Sequence, residues 1–91
     1  MPGLLAKKAK NIARLLSEAQ IYWDQFGAPI PLRIVSAKFG RVFENAGGFH
    51  EVMQELENDG SLVLERHRSG KTLVYPSQVA AVLQSNIRRI G

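Results

Sequence analysis

The chain contains no cysteine, which removes thiol nucleophiles, disulfide frameworks and cysteine-ligated zinc together. That absence fits a reducing compartment, and the expectation is a cytoplasmic protein. No apolar run approaches the ~18 residues needed to span a bilayer. Leu4, Leu5 and Ala6 are followed at once by Lys7 and Lys8, so no apolar segment of a secretory signal is expected. Acid is missing from residues 1–17, where Lys7, Lys8, Lys10 and Arg14 stand. Lys and Arg are missing from residues 44–59, where Glu44, Glu51, Glu55, Glu57 and Asp59 stand. The two histidines, His50 and His67, lie 17 positions apart with no cysteine to help them, so no structural zinc site is expected.

What remains is a chain of 91 residues, 45% hydrophobic and 22% charged, which is one globular domain with a single core. The formal charge of +4 favours an anionic partner, and its distribution says more than its sum. Basic groups recur at Arg33, Lys38 and Arg41, then at Arg66, Arg68 and Lys71, and last at Arg88 and Arg89. No repeat or low-complexity tract marks a linker.

At about 100° per residue, Leu5, Ile12, Leu15, Leu16, Ala19, Tyr22, Trp23 and Phe26 fall on one stripe, with Lys7, Lys10, Arg14 and Gln25 opposite. The spacing predicts a helix over about residues 4–26, stopped by Gly27 and by the prolines of Ala28-Pro29-Ile30-Pro31. Leu32, Val35 and Phe39 predict a second helix closed by Gly40, with a further turn open to residues 41–44. Asn45-Ala46-Gly47-Gly48 breaks the chain, after which Phe49, Val52, Met53 and Leu56 predict a third helix ending at Asn58-Asp59-Gly60. Residues 61–66 and 71–75 are rich in strand formers around His67-Arg68-Ser69-Gly70, which predicts a β-hairpin stopped by Pro76. Ser77 is a good N-cap for a last helix over residues 77–90, carrying Val79, Val82, Leu83, Ile87 and Ile90 on one side.

The expected fold class is therefore mainly α with a small antiparallel β-hairpin, in the order α-(β)-α-α-β-β-α. This order resembles the winged-helix branch of the helix-turn-helix superfamily over nearly the whole chain. The residues that carry the resemblance are Leu56-Glu57-Asn58-Asp59-Gly60-Ser61-Leu62-Val63, similar to the end of a recognition helix entering the first wing strand. They continue through Leu64-Glu65-Arg66-His67-Arg68-Ser69-Gly70-Lys71-Thr72-Leu73-Val74-Tyr75, similar to the wing itself. One departure is that residues 40–49 make a longer link than the tight turn of the standard motif.

The resemblance implies binding to double-stranded DNA with the third helix at the major groove. On that helix His50 and Gln54 are the candidate base-reading groups, with Glu51 able to accept from a cytosine amino group. The wing residues Arg66, His67, Arg68 and Lys71 are the candidate backbone contacts, and Lys38 and Arg41 flank the second helix for the same purpose. The amide of Gly48, at a helix start, is a candidate phosphate donor. The expected function is a small transcriptional, plasmid or phage regulator that gains affinity as a homodimer through its terminal helices. Ile21, which stands among the cations of the first helix, and Asn86, within the last, are possible contact points. The alternative is a protein-interaction module, an adaptor or assembly subunit whose acidic third helix meets a basic partner.

Enzymatic readings fail on residue pattern. Ser69-Gly70-Lys71-Thr72 looks like the end of a P-loop, but Glu65 replaces the required first glycine and a strand follows where a helix is needed. Nothing pairs a nucleophile with a base and an orienting acid. No enzyme activity, cofactor or metal is expected.

Overall fold

The structure is a computed structural model that describes residues 2–77. The element order is α1 (Pro2–Phe26), β1 (Ile30–Pro31), α2 (Leu32–Phe39), a 3-10 turn (Glu44–Ala46), α3 (Phe49–Asn58), β2 (Leu62–Arg66) and β3 (Thr72–Pro76). The architecture is mainly α with a small antiparallel sheet, as expected. The expected last helix, with Asn86 in it, lies outside the described residues. No helix among the described residues is long and apolar enough to cross a membrane.

The long N-terminal helix forms because its apolar positions repeat at helical spacing, and it buries Leu15 and Ala19 against the sheet and helices, with Ile12, Leu16 and Tyr22 packed beside them. Gly27 ends it. With φ at +62°, Gly27 turns its amide back to the Trp23 carbonyl at 2.8 Å, a left-handed cap that costs a residue with a Cβ far more than it costs glycine. Phe26 departs from the expected core stripe: it is 64% exposed. Its ring instead rests on that of Tyr22, with centroids 4.5 Å apart. Periodicity marks a helix face, and here the surface to be covered ends before the helix does.

The sheet is ordered β1-β3-β2, all antiparallel. Ile30 pairs with Val74 and Pro31 with Leu73, so β1 is an edge strand, where a proline without an N–H is tolerated. On the other side of β3 the hairpin register runs from Leu62 opposite Pro76 to Arg66 opposite Thr72. Ile30, Leu62, Val74 and Pro76 are buried, and they bring the sheet onto the helices. The third helix has the predicted core face of Phe49, Val52, Met53 and Leu56, all buried. It ends in a Schellman motif: the Ser61 amide donates to the Leu56 carbonyl at 3.0 Å and the Gly60 amide to the Glu57 carbonyl at 3.2 Å.

The long link between α2 and α3 is explained by Phe43, whose side chain is fully buried and lies beside Phe39 with ring centroids 6.5 Å apart. Its carbonyl accepts the amides of both Ala46 and Gly48 at 2.9 Å. The extra residues thus fold inward, adding an aromatic side chain to the core. Replacing Phe43 with Ala should destabilise the protein by about 3–5 kcal/mol, whereas Phe26→Ala should stay within about 0.5 kcal/mol. Urea unfolding monitored by circular dichroism tests this, and comparable losses for the two variants would contradict the packing described.

Candidate functional site

A cleft of about 540 Å³ opens where three elements meet: the start of α2 (Pro31, Leu32, Arg33, Ser36), the start of α3 (Phe49, His50) and the hairpin tip (Ser69, Gly70, Lys71, Thr72). Its floor is apolar and its polar groups are hydroxyls, an imidazole, a guanidinium and an ammonium. Among the described residues no carboxylate lines it. Arg33, which in the sequence is only one of a group of charges, sits on this wall together with Lys71, 38 positions away in the chain.

The hairpin tip is shaped by a three-residue turn. The His67 amide donates to the Lys71 carbonyl at 2.8 Å and the Gly70 amide to the His67 carbonyl at 3.0 Å. Gly70 has φ at +87°, so this is a type I turn closed by a glycine bulge. The turn holds Arg68 and Lys71 exposed, and neither forms an ion pair among the described residues. His67 Nε2 lies 2.7 Å from Glu65. Tyr75, across the sheet, donates to the other oxygen of Glu65 at 3.5 Å. Burial raises the pKa of the Tyr75 phenol, and the Glu65 carboxylate adds to the rise.

Arg66 is placed differently from the sequence expectation. It belongs to β2, below the tip, and its guanidinium donates two hydrogen bonds, each 3.0 Å, to the two carboxylate oxygens of Glu57 at the end of α3. The hydrogen bond from Arg66 is the main reason the Glu57 carboxyl lies below the usual carboxylate range; partial burial opposes it. Lys38 is likewise engaged, 2.9 Å from Glu18 of α1. Lys8 of α1 reaches Glu55 of α3 at 3.2 Å. Arg41, in the turn after α2, is exposed and makes no ion pair among the described residues.

On α3, His50 lines the cleft, whereas Gln54 is turned toward the end of its own helix. The Gln54 amide donates to Asn58 at 3.1 Å and to Glu57 at 3.4 Å. The Gly48 amide is spent on the Phe43 carbonyl, which corrects the expectation of a free phosphate donor there. Glu51 also folds back against Gly47, where even a methyl group would lie 2.5 Å from its carboxylate. A carboxylate in that place interacts favourably with the positive start of the helix.

The sequence-predicted residues therefore do not form one site. His50 and Lys71 come together at the cleft, with Arg68 at the tip beside it. Arg66, His67, Lys38, Gln54 and Gly48 are held by neighbours, and Arg41 is exposed away from the cleft. Three helices followed by an antiparallel hairpin are compatible with winged-helix topology. In comparisons with known proteins, no family model, curated protein or solved structure matches the chain. Among the described residues no group of three or more histidine and acidic side chains is placed to hold a metal ion.

The Arg66–Glu57 pair has a consequence for pH dependence. A carboxylate whose folded pKa is depressed contributes stability that is complete above its unfolded pKa and is lost as pH falls through the folded one. Glu57→Gln should therefore lower the neutral plateau slightly and flatten the acid limb below about pH 4 by the same amount, so that the two proteins converge in acid. Thermal midpoints measured across that range check this; an acid limb unchanged by the substitution would contradict the pairing.

Proposed function

We propose that this chain is a winged-helix nucleic-acid-binding module that holds double-stranded DNA through the cleft and the hairpin tip. The observation that supports it is the sorting of charge. Glu18, Glu55 and Glu57 are each matched to Lys38, Lys8 and Arg66. Arg33, Arg68 and Lys71 are exposed around a concavity with no carboxylate in its lining. Such cations are suited to phosphate oxygens, which supply most of the affinity of a small DNA-binding domain and little of its specificity. His50, at the first turn of α3, is then the group best placed to follow those phosphates towards a base edge.

A module of this size gains affinity from pairing, and we propose a homodimer as the working unit for regulation of transcription. Ile21, on the outer side of α1 and 46% exposed, is the contact we assign to it. A second reading, contact with a basic protein through α3, is favoured by Glu44, Glu51 and Asp59, which are exposed and make no ion pair among the described residues.

Replacing Arg33, Arg68 and Lys71 together with Ala should weaken binding to all duplexes. The slope of log affinity against log salt should fall by roughly 0.9 for each phosphate that is no longer neutralised. Lys38→Ala and Arg66→Ala should change that slope far less, because their side chains already have partners. Fluorescence titration of random-sequence duplex at several salt concentrations measures both. A slope unmoved by the triple substitution would sink the assignment, and capture of a basic protein that Glu51→Lys abolishes would favour the second reading.

A further inference from the structure

A cleft of about 540 Å³ is larger than a backbone phosphate requires and falls within the range of small-molecule sites, roughly 300–1,000 Å³. Its composition is also that of such a site, with an apolar floor and a few convergent polar groups. Pro31, Leu32 and Phe49 form the floor. The Phe49 ring is buried and meets the His50 ring edge-on, with centroids 5.7 Å apart. Arg33 and Lys71 supply two fixed positive charges at the rim with no carboxylate in the lining, which matches one dianionic group. The Arg33 fork can hold two oxygens of that group at once.

We propose that the cleft binds a nucleoside monophosphate as a free ligand. The phosphate lies between Arg33 and Lys71, and the base lies flat over Leu32 and Phe49 beside the His50 imidazole. Ser36, Ser69 and Thr72 line the same cleft and supply hydroxyls for the sugar. A simple organic carboxylate would leave one charge uncompensated, and inorganic phosphate would leave the apolar floor wet.

Because Arg33 and Lys71 also serve the duplex in the reading above, ligand and DNA compete, and each weakens the other by the same factor. The competition rests on that reading; occupancy of the cleft does not.

The test is a calorimetric and nitrogen-15 NMR titration of the full chain with adenosine monophosphate, with inorganic phosphate and adenosine as the two half-ligands. Saturable binding is expected, at least tenfold tighter for the nucleotide than for either half, with shifted amides at Arg33, His50 and Lys71. The double substitution Arg33→Ala, Lys71→Ala should weaken it at least tenfold. Ser36→Trp, at an exposed position on the wall, should abolish it by filling the space without changing charge. No saturation, or a nucleotide that binds no more tightly than phosphate, overturns the proposal. In a parallel arm the nucleotide is added to labelled duplex already bound. Duplex binding that depends on Arg33 and Lys71, with no saturable nucleotide binding, leaves the DNA reading standing and removes this one. Nucleotide binding in a protein that holds no duplex does the reverse, and both binding without displacement overturns the shared site.

Discussion

The pairing of two residues, Ile30 and Pro31, with Val74 and Leu73 sets the position of everything that lines the cleft. The chain passes from Pro31 straight into α2 at Leu32, so an antiparallel bond to β3 fixes the start of that helix beside the tip end of the hairpin. Without it, Arg33 and Lys71 would be two unrelated surface cations. The pairing is short, and its firmness comes from burial: Ile30 and Val74 are among the most buried side chains of the molecule. Their apolar contact holds a polar site in register.

Charge is the second organising constraint. A small basic domain with a strongly acidic helix would repel the polymer that its positive surface attracts, unless the two signs are kept apart. Here α3 carries three of the chain's eight acidic residues, and two of them are answered by neighbours on different elements, Glu55 by Lys8 from α1 and Glu57 by Arg66 from β2. Exposed pairs of this kind add little to stability. Their larger consequence is that Glu55 and Glu57 no longer act as isolated negative charges, while the first turn of α3, at Phe49 and His50, opens onto the cleft. The helix expected to read bases is thus suited to doing so only at its beginning.

Much of the fold was legible in the sequence because its signals are local. Four apolar residues at helical spacing located α3, and glycine and proline marked the ends of α1 and the hairpin. Phe43 was not legible: it stands between breakers, in a segment with no periodicity, and only the three-dimensional link shows that it points inward. Phe26 misled for the opposite reason, since a regular stripe continues past the surface it covers. At the site, the wing cations and His50 were visible as types and positions. The Arg66–Glu57 pair was not, because it joins residues at the end of a helix and the far end of the strand that follows it. Arg33 was missed because its significance comes from a sheet pairing made by its neighbours. The signal that could have found it was its place just after the short strand that the expected order puts between the first two helices.

In the proposed complex, duplex DNA lies over the cleft and the hairpin tip, not along the length of α3. Mapping amide chemical-shift changes on addition of a short duplex tests it most directly. The account predicts changes concentrated at residues 31–36, 49–50 and 68–72, with residues 54–59 nearly silent. Changes concentrated at residues 54–59, with the cleft and tip unmoved, would contradict it.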